Sequence, residues 1–483
     1  MSKPLTCLLA ACLATAGCTL GPDYVRPTAP LAPAFVHAAN IDTRSTDANW
    51  WRGFADPLLV TLVDRAVARN TDLAQARARI DQARAAATAA GAVLMPALDA
   101  TGGITTVSQS RDTAIGRITR AIGAPRGSTE YTLGAQASWE MDLFGGLRRG
   151  REAARDELAA TQANEAALAI AVAAETADAY LTLRALQARL AVASDQERNE
   201  VLFASLVRQR FEHGIAAERD LNRTIAQLEG VRAAMAPLRA GVEAQLNRLD
   251  VLVGEAPGTN RAVLIEPRPV PPAPAPAGGG VPIDLLRRRP DIVAAENRLA
   301  ASSARTSAAI AEYYPHLSLS SLFGVASLGT GHLFTGGAVQ ASGAAGLRWR
   351  LFDFGRIDAE VAGARGRQAE ALAAWRGSVL AAAEDVETAL AWLDQTHAER
   401  GSLEREVAAL DRARSQTRDA YAGGVAGLIE VTDAERETLA ATDRLALARA
   451  AEARAAVAAY RALGGGWQAA NGAALASPPG KLR

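Results

Sequence analysis

The sequence predicts a mixed α and β protein that crosses a membrane by strands and reaches beyond it by long helices, built from two tandem copies of one unit. Three observations carry this. An ordered internal duplication relates the two halves of the chain. Each half contains a long helix-forming region with no proline, from Glu152 to Phe211 and from Ile357 to Tyr421. Each of those regions is preceded by a short segment in which apolar residues alternate with polar or small ones.

The N-terminus supplies the membrane. Lys3 precedes an apolar stretch from Leu5 to Ala16 that ends in Thr15-Ala16-Gly17-Cys18. So short a stretch cannot cross a bilayer core that needs about 20 apolar residues, and it reads as an export signal over residues 1–17. The small residues before Cys18 suit a peptidase with a narrow approach, so Cys18 resembles the lipidated cysteine of a bacterial lipoprotein. Thr15 stands where leucine is usual, and ordinary secretion with a free Cys18 is the alternative. Cys7 and Cys12 would leave with the signal, so no intrachain disulfide is expected. A lipidated terminus anchors without spanning. No later segment offers about 20 continuous apolar residues free of charge, which leaves a closed β-barrel as the way through.

With 52 basic and 52 acidic side chains among 483 residues, the chain lacks the positive excess of a dedicated nucleic-acid binder. Its 49% apolar content is enough for one large core or several small ones. The basic residues are nearly all arginine, with lysine only at Lys3 and Lys481, a bias to which the sequence attaches no mechanism.

The duplication orders the elements. Asn70-Thr71-Asp72-Leu73 and Pro96 match Arg289-Pro290-Asp291-Ile292 and Pro315 at an offset of 219. Trp139, Phe144 and Gly145 match Trp349, Phe354 and Gly355 at 210, and so do Phe211 to Gly214 and Tyr421 to Gly424. The nine-residue difference between these offsets falls between Pro96 and Trp139, so the first copy has the longer connection there. In each copy a helix (about 57–92 and 284–312) leads to the alternating segments. A long helix (about 149–210 and 356–420) follows, then a glycine break and another helix (about 217–252 and 428–463). At 1.5 Å per residue the long helices reach roughly 90 Å and call for coiled-coil-like packing. The repeats are placed at 51–254 and 284–467, after an extended segment at 18–50. A Pro-rich linker at 255–283 joins them, and residues 468–483 form a disordered tail.

From Tyr131 to Trp139 one parity holds Tyr131, Leu133, Ala135, Ala137 and Trp139, and the other holds Thr132, Gly134, Gln136 and Ser138. From Ala341 to Leu351 the pattern repeats around Trp349, with Arg348 and Arg350 on the polar side. Such strands suit a wall with lipid on one face and water on the other. A two-stranded cap on a helical bundle would show the same alternation. Partner strands are expected near Leu98 to Ser108 and Leu317 to Leu328, giving four in all. Four strands cannot close around an aqueous lumen, because membrane barrels begin at about eight, so the chain must pool strands with copies of itself. Two copies and three copies both satisfy that count.

Taken together these motifs resemble the outer-membrane factor lipoproteins of resistance-nodulation-division efflux systems, the TolC/OprM/NodT-like family. The resemblance rests on Cys18 with Gly21-Pro22-Asp23-Tyr24-Val25-Arg26-Pro27 and on the stretch from Trp51 to Asp56. It rests also on Trp139-Glu140-Met141-Asp142-Leu143-Phe144-Gly145, Leu285 to Ile292, and Tyr460 to Trp467. It implies a homotrimer with a 12-stranded β-barrel in the outer membrane and a 12-helix α-barrel in the periplasm. The function it implies is that of a passive exit duct working with a periplasmic adaptor (membrane fusion protein) and an inner-membrane pump. The runner-up is a lipidated periplasmic coiled-coil adaptor or scaffold that does not span.

The resemblance also assigns roles. Gly214 and Gly424 fall at the periplasmic tips that meet the adaptor, and Glu430 and Asp433, with Asp220 as an outer neighbour, at a gate that narrows the entrance. The spacing of Glu430 and Asp433 puts both on one helix face; favouring a helix N-terminus in solvent is the plainer role for the pair. Trp139 and Trp349 are expected at a lipid-facing girdle. Gly145 and Gly355 are expected at the strand-to-helix bends, although any of these glycines also serves as an ordinary helix terminator. No enzyme is expected and no cofactor or metal. His37, His213, His316, His332 and His397 show no metal-ligand spacing, no Walker loop, nucleophile elbow or Rossmann fingerprint occurs, and Glu384, Asp385 and Glu387 read as interhelix or lumen groups.

Overall fold

The computed structural model describes residues 20–29, 31–37, 49–274, 288–465 and 467. The expected leader at 1–17, Cys18, the C-terminal tail and residues 275–287 of the linker and its following helix lie outside them. The chain divides into two compact units, one gathering Met1–Arg26, Ile80–Ala160 and Glu296–Ala374, the other Pro27–Arg79, Thr161–Ala295 and Trp375–Arg483.

The first unit is built on one antiparallel sheet in the order β1 (Ala97–Ser108), β2 (Gly127–Met141), β3 (His316–Ser327), β4 (Val339–Arg348). Its register runs from Ala97↔Ser138 in β1–β2, through Trp139↔Leu319 in β2–β3, to His316↔Arg348 in β3–β4. Among the described residues β1 and β4 each have a single neighbour, which leaves both edges of the sheet open there. The longer connection in the first copy holds a short helix, α3 (Ala114–Ala121), capped by Thr113 Oγ1 accepting from the Gly116 amide at 3.2 Å. The shorter one holds only two 3₁₀ turns at Thr330–His332 and Gly336–Ala338.

The second unit carries the larger core. A 3₁₀ turn (Trp50–Phe54) leads into α1 (Pro57–Arg69), and α2 (Thr71–Ala92) follows after Asn70. The sequence predicts a single helix over this stretch. It breaks at Asn70, where the side-chain oxygen accepts from the Asp72 and Leu73 amides while the side-chain amide donates to the Leu252 carbonyl. At the start of α1, Asp56 accepts from the Leu58 and Leu59 amides, and its other oxygen accepts from the Tyr180 hydroxyl at 2.5 Å. Trp50 stacks on Tyr460 at 5.2 Å, and both are buried with Phe54, Leu59, Leu62, Leu181 and Leu249. Each such side chain contributes about 1.5–3 kcal/mol on burial.

The long helices α4 (Gly146–Glu212) and α8 (Arg356–Ala422) have 67 residues each. Their partners α5 (Glu218–Leu252) and α9 (Leu428–Ala462) have 35 each. Bounds in the two copies differ by 210 throughout, and α2 and α7 (Pro290–Ala311), like β1 and β3, differ by 219, so the tandem repeat is built element for element. α6 (Arg261–Leu264) is a single turn inside the expected linker. One 18-residue window of α4 is apolar enough to cross a bilayer by composition, but 56% of it is buried within the chain. α4 buries mostly small residues, among them Ala153, Ala160, Ala163, Ala173, Ala177 and Ala179, which allows neighbouring helices to approach closely.

The arginine bias finds its use in helix pairing. Arg189 grips Asp443 with two bonds of 2.8 and 3.1 Å, and Arg454 grips Asp178 with bonds of 2.6 and 3.2 Å. A planar guanidinium can make such a fork and an ammonium cannot. Arg184, fully buried, donates to Gln187 and to the Leu264 and Glu266 carbonyls, which ties α4 to the start of the linker.

Candidate functional site: strand-to-helix junctions, N-terminal strap and helical tips

At each junction glycine takes a conformation closed to other residues at low cost: Gly145 has φ 84° and Gly355 φ 82°. The following helix is then capped by a carboxylate. Asp142 accepts from the Leu147 and Arg148 amides at 3.1 and 2.9 Å, and Asp353 accepts from the Gly355 and Ile357 amides at 3.1 and 2.8 Å. These two aspartates are not equivalent in the duplication, since Phe352 matches Asp142, so each copy reached the same cap from a different position. The indole N–H of Trp139 donates to the Leu94 carbonyl at 2.9 Å and that of Trp349 to the Tyr313 carbonyl at 3.0 Å. Leu94 and Tyr313 are themselves equivalent, so the tryptophans clamp matching corners where a helix turns into a strand. Between the copies, Glu140 pairs with His316 at 2.7 Å.

In the same unit, residues 20–26 form a strap across α4 and α7. The Leu20 amide donates to the Phe144 carbonyl at 3.2 Å, and Ser307 donates to the Pro22 carbonyl at 3.2 Å. Asp23 meets Arg149 at 2.5 Å, and Arg26 forms a fork with Glu296. Gly21 has φ 90° and lies so near Ser307 that a Cβ would come within 2.5 Å of its Oγ. The opening motif therefore has a structural meaning: its glycine permits the approach, and its Asp and Arg anchor the strap. Burial beside Glu296 pushes the Tyr24 hydroxyl well above its ordinary range.

The tips are built alike. Gly214 (φ 73°) and Gly424 (φ 75°) end the long helices, and the amides of Ile215 and Val425 reach back to the Arg210 and Ala420 carbonyls at 2.7 and 2.9 Å. Ile215, Val425 and Ile429 are exposed there. Glu430 lies in the first turn of α9 and is exposed, Asp433 meets Arg436 at 3.3 Å, and Asp220 holds the matching place at the start of α5. The structure thus places Glu430 and Asp433 one helical turn apart.

Two acidic residues of α8 hold segments outside the helices. Asp385 binds Arg289 at 3.0 Å, and Glu387 accepts from the Val36 amide at 2.8 Å and faces His37 at 3.1 Å. A cavity of about 580 Å³ between Val270–Pro274 and α8–α9 is lined by His397, Arg400, Glu404, Arg449 and Glu452, and His397 is bonded to Glu452 at 2.7 Å. Among the described residues no group of three or more His, Cys, Asp or Glu is placed to hold a metal ion.

A four-stranded antiparallel sheet whose outer strands each have one neighbour among the described residues, handing over to paired helices of 67 and 35 residues, defines a class of outer-membrane channel. The pattern that defines the family "Outer membrane efflux protein" matches residues 62–255 and 281–465, and the chain belongs to that family. The chain is 32% identical to the pyoverdine export outer membrane protein OpmQ of Pseudomonas putida, over 96% of this chain and 97% of that protein. It is 30% identical to the toluene efflux pump outer membrane protein TtgC of P. putida, over 98% of each. The solved outer-membrane channel OprN superposes with a TM-score of 0.84 at 32% identity, covering 93% of this chain and 99% of that one.

The protein is therefore a passive efflux channel of the outer membrane, extending into the periplasm, and not an enzyme. The reading as a non-spanning adaptor falls with this assignment. In general terms such channels work with a pump and its adaptor.

Proposed function

We propose that three copies of this chain pool their strands into a 12-stranded barrel and their long helices into a periplasmic duct, anchored by lipid on Cys18. The duct conducts small substrates from a resistance-nodulation-division pump, through an adaptor that docks at the tips around Gly214 and Gly424. The carrying observation is the open sheet: among the described residues β1 and β4 each lack a second neighbour, an arrangement with no stable place in a bilayer unless another copy closes it. The exposed Ile215 and Val425 at the tips offer the adaptor an apolar contact. Glu430 and Asp433, with Asp220 beside them, gather carboxylates at the entrance, where in a ring of three they repel and hold cations. Trp139 and Trp349 lie at the lipid boundary, with the indole N–H already satisfied by protein. OpmQ is named for pyoverdine and TtgC for toluene at nearly the same identity, so likeness of the duct does not select the cargo.

Native mass spectrometry of protein extracted from outer membranes tests the assembly. It should show three chains, each acylated at Cys18. A dimer or a single chain would overturn the ring of three, and an unmodified N-terminus would overturn the anchor.

A further inference from the structure

We infer that the duplication specifies, residue by residue, how one copy of the chain seats on the next, placing Arg350 against Asp99 and Phe354 against Met95 of the neighbouring copy. The inference rests on the proposed ring. Inside the chain the first copy meets the second along β2–β3, where Trp139 faces Leu319, Glu140 faces Ser318 and Met141 faces Leu317. Just beyond the sheet Phe144 stacks on Tyr314, with ring centres 4.9 Å apart. Advancing the first partner by 210 and moving the second back by 219 carries this contact onto the two open edges. Trp349 then faces Ala100, Arg350 faces Asp99, Leu351 faces Leu98, and Phe354 lies on Met95.

Three observations support the transfer. First, the other pairings already obey it: Ala97↔Ser138 in β1–β2 becomes His316↔Arg348 in β3–β4 under the same two offsets. Second, β2 runs to Met141 but β4 stops at Arg348. The residues matching 139–141 are 349–351, and in β2 those three pair with β3 alone, not with β1. β4 is therefore short by the residues whose partner belongs to the next copy.

Third, the residues brought together are apolar groups left in the open: Leu98 is 72% exposed, Met95 67%, Leu351 65%, and Phe354 fully exposed. Phe354 also holds φ 56°, a left-handed conformation that a phenylalanine rarely adopts. Its equivalent Phe144 has a stacking partner, whereas among the described residues no ring stacks on Phe354.

The chemistry of the matched residues is complementary. Arg350, which is bonded within the chain to Glu312 and Glu360, has spare guanidinium donors of opposite charge to Asp99, and Leu351 meets Leu98. The Met95 thioether suits the ring of Phe354 as Tyr314 suits that of Phe144. The two kinds of interface thus share one register and differ in chemistry, an aromatic stack inside the chain and a sulfur–aromatic contact between chains. That difference favours alternation of first and second copies around the ring over pairing of like with like.

Cysteine pairs read the register directly. In this register Ala345 faces Ile104 and Ala344 faces Thr105. Consecutive antiparallel pairs alternate between wide and narrow spacing, so one of the double variants Ala345→Cys with Ile104→Cys and Ala344→Cys with Thr105→Cys falls at the narrow kind. The slipped controls are Ala345→Cys with Thr106→Cys and Ala345→Cys with Gly102→Cys, which keep the face but lie a diagonal step away.

After oxidation with copper phenanthroline in outer membranes, at least one register pair should give covalently linked chains on a non-reducing gel, at roughly ten times the yield of either slipped pair. A slipped pair that links better overturns the register. No linkage in any variant, with native mass still showing several chains, also overturns it and leaves the ring standing. Single chains in the native mass of the unsubstituted protein remove the ring and the inference with it.

Discussion

Asp156 on α4 shows how burial and charge oppose each other at one residue. Burial raises its carboxyl to about 6, Glu152 and Glu157 add to the rise, and Arg305 counters it. A carboxyl raised in the folded state contributes stability that is present below its unfolded value near 4 and lost as pH rises through about 6. Asp156→Asn should therefore stabilise the protein at pH 7.5 by about 1 kcal/mol, a figure reduced for the solvent around a partly exposed group. The gain should vanish near pH 4. Thermal unfolding at the two pH values checks this, and an equal effect at both would remove ionisation as the cause.

At this scale the sequence revealed residues whose role is local, such as Gly145 and Gly355, whose φ follows from a bend between neighbours in the chain. It did not reveal the Glu140–His316 pair or the Arg26–Glu296 fork, because which distant segments meet is decided by packing and not by spacing.

Among the elements, the long helices were legible from proline-free runs of helix formers, and the strands from period-two patterning. The break at Asn70 was not, because both flanks carry helical patterns and the cap depends on the Leu252 carbonyl from a remote helix. α3 was hidden too: eight residues inside a loop give no periodicity to read.

The faces of the strands remain to be measured. With cysteine placed singly at 136, 348 and 350, a membrane-impermeant thiol reagent should label the assembled protein, whereas cysteine at 139 and 349 should be spared. The opposite pattern would reverse the assignment of lipid and water. Arg350 is bonded to Glu312 and Glu360, so a cysteine there sits beside two carboxylates that disfavour its thiolate, and labelling should be slower than at 136.

For the molecule as a whole, the duplication was the most informative signal, because two offsets relate the bounds of the paired long helices, of α2 and α7 and of β1 and β3, and locate the extra loop. The number of chains was beyond it: four strands per chain are compatible with two copies or three, and closure is a property of the assembly. The use of arginine was equally hidden, since forks such as Arg189–Asp443 and Arg454–Asp178 join residues more than 250 positions apart.

In the proposed assembly the chain forms a passive pore narrowed by carboxylates at its periplasmic entrance. Single-channel conductance in planar bilayers, comparing the unsubstituted protein with the double variant Glu430→Ala/Asp433→Ala with and without divalent cations, tests it most directly. Discrete conductance steps with no energy source, cation preference and divalent block are expected of the unsubstituted protein, and loss of most of that block with altered cation preference is expected of the double variant. Unchanged block and selectivity in the variant would place the constriction elsewhere, and absence of any conductance from correctly assembled protein of either kind would mean that the assembly is not a pore.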